Sequence, residues 1–85
     1  MEKAISFRSP KNKFYAEIHF SEPLEGIGSV TSLGGMTLDE CKFRAEKEAR
    51  RILEHNNVIA TILIRENKKV YPEFDWVHVE RYEVK

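Results

Sequence analysis

Between Thr37 and His55 the apolar residues return at the spacing of one helix face, and this stretch constrains the fold more than any other. At 100° per residue, Leu38, Cys41, Ala45, Ala49, Ile52 and Leu53 fall in a single stripe. Thr37 is a good N-cap and Glu40 stands three residues on, so each side chain can satisfy an orphan N–H of the first turn. Met36 before the cap and Cys41 after the first turn are spaced to close a hydrophobic staple. The small Ala45 and Ala49 at the centre of the stripe let the helix lie close on a sheet. On the outer side Glu40–Arg44 and Glu46–Arg50 are i,i+4 pairs in the favoured order, worth roughly 0.2–0.5 kcal/mol each. Arg50, Arg51 and His55 suit the negative end of the helix dipole, and Asn56-Asn57 is a stop. The pattern predicts a helix from about 37 to about 55.

The flanking segments alternate with a period of two. Ile5 and Phe7 mark a short first strand, and Ser9-Pro10-Lys11-Asn12 is turn chemistry. Phe14, Ala16, Ile18 and Phe20 point one way, with Tyr15, Glu17 and His19 the other, so a hairpin of these two strands is expected. Glu22 to Gly28 contains Pro23 and two glycines and reads as a loop, before a third short strand at Ser29–Leu33. Val58 to Ile64 is β-branched and apolar on both faces, the pattern of a central strand. Glu66-Asn67-Lys68-Lys69 turns, Val70-Tyr71 pairs briefly, and Pro72 interrupts. The last strand runs from about Asp75 to Val84 and sets Trp76, His78, Glu80 and Tyr82 against Val77, Val79, Arg81 and Glu83.

The expectation is therefore a single α+β domain over 1–85, in two layers: an antiparallel or mixed sheet of four or five strands with one long helix packed on one face, in the order β-β-β-α-β-β. Eighty-five residues allow one modest core, and 41% hydrophobic with 33% charged residues is too apolar for disorder. Lys plus Arg is 14 and Asp plus Glu is 14, so the net charge is zero. That balance argues against a binder relying on many neutralised phosphates, although a local basic patch remains compatible with it. One cysteine cannot make an internal disulfide, Met1 to Ser6 lack the apolar core expected of a signal peptide, and the longest apolar run, Val58 to Ile64, is too short to cross a bilayer. A cytoplasmic protein is the simplest expectation.

Pro23-Leu24-Glu25-Gly26, then Thr31, Gly35, Thr37-Leu38-Asp39-Glu40-Cys41, Ala45 and Ala49 resembles the HicB antitoxin family over roughly residues 14 to 53. That family has a Pro-x-Leu-Pro-Gly loop, a short strand, and Gly-x-Thr-x-x-Glu-Ala opening a helix with small residues on its inner face. Here Glu25 stands for the second Pro, Cys41 for the Ala after the Glu, and the loop from Pro23 to Thr37 is longer. With Val84 next to the last residue, the DNA-binding module of many such antitoxins is not expected. The resemblance implies a partner-binding domain of β-β-β-α-β shape and carries over no catalytic or DNA-contacting residue.

No set of residues spells out a chemistry. His19, His55, His78 and Cys41 are the soft metal ligands, and their spacing fits neither a helical i,i+4 pair nor a Cys-x-x-Cys site, so no metal and no cofactor is expected. Cys41 reads as a small core residue. Gly34-Gly35 before the helix reads as a turn, because Asp39 and Glu40 already fill the first turn with negative charge. His78 and Glu80, two apart on one strand, would share a face and could act as an acid–base pair, but no nucleophile accompanies them. An enzyme is therefore not expected.

Two surfaces stand out. Phe43 falls about 140° from Leu38, on the face that should be solvated. It lies over neighbouring aliphatic stems, anchors a contact beside Arg50, or is wrapped by a terminal segment. Trp76, His78 and Tyr82 would line the sheet face away from the helix, if Val77 and Val79 face the helix. The leading expectation is a non-enzymatic protein-binding module, antitoxin-like or an inhibitor encoded by a phage or mobile element, that covers a partner through Phe43, Trp76, His78 and Tyr82. Its partner is another protein or a second copy of the chain. The alternative is a small RNA- or DNA-binding domain that stacks bases on Tyr15, Trp76 and Tyr82, with phosphate contacts from Arg8, Lys11, Lys13, Lys68 and Lys69.

Overall fold

The computed structural model describes residues 12–70 and 73–84. Its elements follow in the order β1 (Phe14–Leu24), β2 (Gly28–Gly35), α1 (Leu38–Leu53), β3 (Ala60–Asn67) and β4 (Trp76–Val84). The strands form one four-stranded sheet, ordered β2-β1-β3-β4, in which every neighbouring pair is antiparallel. The α+β architecture with one helix on one face is as expected, and the antiparallel alternative is the one adopted.

The expected strand order needs correction. Over the described residues it is β-β-α-β-β. Residues 14–20 pair with β2 along one edge and with β3 along the other, so the predicted hairpin with residues 5–7 finds no vacant edge there. Residues 5–7 themselves, with Arg8 and Lys11, lie outside the described residues, as does Tyr71. The 22–28 segment is shorter as a loop than expected, because β1 runs to Leu24. Gly26 (φ 81°) and Gly28 (φ 87°) then supply the left-handed conformations that turn the chain into β2.

Helix α1 begins where the capping residues place it. Thr37 is extended (φ −125°, ψ 161°), and its hydroxyl accepts the Glu40 N–H at 3.1 Å. Glu40 reaches back to accept the Met36 N–H at 2.7 Å, one residue earlier than a reciprocal cap requires. The staple is not formed as expected, since Met36 is 54% exposed while Cys41 is fully buried. Cys41 instead lies against Gly35, where a Cβ would sit 2.9 Å from the Cys41 nitrogen, so only glycine admits the helix this close. At the other end Asn56 donates its side-chain N–H to the Ile52 carbonyl at 2.9 Å, ending the helix at Leu53.

Ala16, Ile18 and Phe20 of β1 and Ala60, Ile62 and Ile64 of β3 face Cys41, Ala45, Ala49 and Ile52 of the helix across the core. Ile18, Ile62 and Ile64 are fully shielded, each worth roughly 1.5–3 kcal/mol over an exposed side chain. Burial pushes the Cys41 thiol up to about 11, which suits a packing residue rather than a nucleophile. Among the described residues no helix is long and apolar enough to cross a membrane.

Candidate protein-binding surface

The register assigns every strand residue to a face. Tyr15 stands opposite Arg65 and Arg65 opposite His78; Glu17 stands opposite Leu63 and Leu63 opposite Arg81; Asn67 stands opposite Trp76. These residues occupy the side of the sheet away from α1. Between Ile64 and Arg65 the register of β4 slips: Ile64 pairs with Glu80 and Arg65 with His78, leaving Val79 as the extra residue of a bulge.

That bulge corrects two expectations. His78 and Glu80 do not share a face, so the geometry of an acid–base pair is missing. Tyr82 does not join Trp76 on the open side. It turns toward the helix, donating its hydroxyl to Glu46 Oε2 at 2.6 Å, with Lys42 Nζ 5.1 Å from its ring centre. Glu80 is held beside it by Lys42, 3.1 and 3.2 Å from the two carboxylate oxygens. Burial and the Glu46 carboxylate raise the Tyr82 hydroxyl well above its ordinary pKa.

Phe43 is 67% exposed on the outer side of α1, on the face expected to be solvated. It therefore lies across the two-layer molecule from Trp76, and the four candidate partner residues do not form one patch. Trp76 and His78 remain together on the open face.

Among the described residues, exposed apolar side chains gather at the end of the sheet near Trp76. Val70 (85%), Phe74 (43%) and Val77 (38%) are all exposed within eight residues of one another. Phe74 stacks on Trp76 with ring centres 6.0 Å apart and planes 14° apart. Trp76 in turn meets Tyr15 edge-on at 4.7 Å. Tyr15 itself is only 4% exposed, so its ring is not available as the base-stacking platform that the nucleic-acid alternative assigned to it.

Asn67 fixes the segment that carries these side chains. It is 5% exposed, and its side-chain oxygen accepts the N–H groups of Lys69 (3.1 Å) and Asp75 (2.8 Å) while its amide donates to the Glu73 carbonyl (3.3 Å). Its backbone N–H donates to the Lys13 carbonyl at 2.8 Å, tying the segment to β1. Neither Asn67 nor Phe74 was singled out by the sequence pattern. The available signal was an aromatic residue just after Pro72, in a stretch otherwise written in turn residues.

The lysines rim this end. Lys13 and Lys68 both reach Glu66, each at 3.1 Å, and Lys69 stands 4.0 Å from Glu73. The Lys68 and Lys13 ammonium groups hold the Glu66 carboxyl below its ordinary pKa. Farther along the open face, Glu17 accepts from His19 (3.0 Å) and Arg65 (3.3 Å), and Arg65 also donates to the Tyr15 hydroxyl (3.3 Å). Among the described residues no group of three His, Cys, Asp or Glu side chains is gathered to hold a metal ion. The chain matches no protein-family model, no curated protein and no solved structure.

Proposed function

We propose that this chain is a non-enzymatic protein-binding module whose docking site is the sheet end formed by Phe74 and Trp76, with His78 beside them. The observation that carries this reading is the stacked, half-open Phe74–Trp76 pair on a segment locked by Asn67. Rigid aromatic side chains bring contact area at little entropic cost, and an apolar centre with a charged rim is the anatomy of a protein interface. The lysines of the rim are matched by Glu66 and Glu73, which favours a protein over a polyanion. In this reading the module acts by occlusion, as an antitoxin-like or phage- or mobile-element-encoded inhibitor that covers a partner's working surface; the resemblance to the HicB antitoxins, which implies a partner-binding domain, supports the binding role. Phe43 and Tyr82 fall outside the contact, the first across the molecule and the second tied to the helix.

The test is affinity capture from nuclease-treated host lysate with the wild-type chain, Phe74→Ala and Trp76→Ala. A protein held by wild type and lost by at least tenfold in both variants, with melting temperatures within a few degrees, is the expected result. Capture that survives both substitutions would overturn the assignment. In a parallel capture from lysate without nuclease, retention of nucleic acid that falls steeply with salt and depends on Lys13, Lys68 and Lys69 would favour the nucleic-acid alternative instead.

A further inference from the structure

We infer that the outer edge of β2 is a strand-addition site that accepts an extended, acidic peptide segment from a partner. The backbone geometry defines what the edge offers. Asn67 N–H donates to the Lys13 carbonyl and Ser21 N–H to the Ile59 carbonyl, so the odd residues of β1 bond toward β3. The even ones therefore bond toward β2, where Phe14, Ala16 and Ile18 stand opposite Gly35, Leu33 and Thr31. The backbone groups of Val30, Ser32 and Gly34 are left pointing outward, and no further strand lies beyond them among the described residues. The Gly34 carbonyl is taken by Arg44, whose guanidinium donates to it at 2.7 Å. Among the described residues nothing bonds the N–H and C=O groups of Val30 and Ser32, which face an incoming chain.

The two outer strands differ in how they guard themselves. β4 carries His78, Glu80, Arg81 and Glu83 and a bulge, the usual devices against edge-to-edge pairing. β2, Gly-Ser-Val-Thr-Ser-Leu-Gly-Gly, has no charged residue and no proline in a chain that is 33% charged. An open groove of about 720 Å³ is lined by Leu33 and the exposed side of α1, where the carboxylates of Glu46, Glu48 and Glu54 stand among four cations, with Arg44 and Lys47 among them. Arg51 is matched by Glu48 at 2.6 Å, whereas Arg44 bonds a carbonyl and Lys47 makes no ion pair among the described residues. An added strand would set alternate side chains over Thr31 and Leu33 beside these two unmatched cations, which selects carboxylates. The same charges disfavour a second copy of the chain, because pairing β2 with β2 would bring two such flanks together.

This surface is independent of the Trp76 end, and either can fail alone. The first measurement is hydrogen exchange of the free protein by NMR: the Val30 and Ser32 amides should exchange quickly, and the Thr31 and Leu33 amides slowly. Slow exchange at Val30 and Ser32 would mean the edge is already occupied and would overturn the inference. The second is a titration with a blocked eight-residue peptide alternating glutamate and valine, against one alternating lysine and valine. The acidic peptide should shift the Val30, Ser32, Arg44 and Lys47 signals, and should bind at least tenfold tighter than the basic one. Ser32→Pro removes an outward N–H only and should abolish these shifts. If it lowers the melting temperature, Lys47→Glu, on the helix surface, carries the test with an expected loss of at least fivefold. Equal response to both peptides, no response to either, or shifts confined to β4 would sink the proposal. So would a concentration-dependent dimer in sedimentation that Ser32→Pro dissolves, because the occupant would then be a second copy.

Discussion

Tyr82 and Glu46 join the last strand to the helix through one short hydrogen bond, 2.6 Å from phenol oxygen to carboxylate. Together with the Lys42–Glu80 pair on the same edge, it holds α1 over β4, where the helix otherwise makes few contacts.

Tyr82→Phe is therefore expected to cost about 1 kcal/mol, the worth of a charge-assisted bond discounted for partial exposure. Chemical denaturation reads this directly, and partner capture should be unaffected, because the hydroxyl faces the helix. The proton linkage gives a second readout. The hydroxyl pKa is raised in the folded state, so its contribution is complete below the ordinary value of 10 and is lost as pH rises above that value. Absorbance titration should show Tyr82 ionising well after an ordinary phenol.

Asn67→Ala should loosen the 68–75 segment without dissolving the sheet. It removes the partner of two N–H groups and one carbonyl, for an expected loss of roughly 1–3 kcal/mol. Hydrogen exchange at the Lys69 and Asp75 amides should accelerate far more than at Ile62 or Ile64. Asn67→Asp keeps the acceptor and should retain most of the protection.

Acid should weaken the fold through Glu17. Burial would raise its carboxyl, but the hydrogen bonds from His19 and Arg65 outweigh burial and hold it below the ordinary 4.5. The stabilisation is therefore complete above that value and disappears as pH falls below it toward the folded pKa. Urea midpoints measured from pH 7 to pH 2 should decline below about pH 4.5, and Glu17→Gln should flatten that decline by roughly 0.5 kcal/mol.

Much of the fold was legible because periodicity and capping are local. The stripe from Leu38 to Leu53 and the Thr37–Glu40 cap located the helix to within two residues at its C-terminal end, where Asn56 closes it. Ala16, Ile18 and Phe20 announced their buried face by alternation. The sheet order was not local: nothing in residues 14–20 says that β2 and β3 will flank them on both sides. Alternation also failed at Val79, because an inserted residue leaves no mark in a strand whose neighbours are all plausible on either face. Asn67 reads as a turn residue in the sequence, since its reach to Asp75 spans eight positions and depends on how the chain returns. The Phe74–Trp76 stack depends on the same return path and leaves no local mark.

The surplus residue in β4 has an evolutionary consequence. Glu80, Tyr82 and Val84 answer to the helix, while Trp76 and His78, in the stretch before the bulge, answer to whatever meets the far side of the sheet. Because the two stretches are out of phase, the latter can be rewritten to suit a new associate without disturbing the packing demanded of the former.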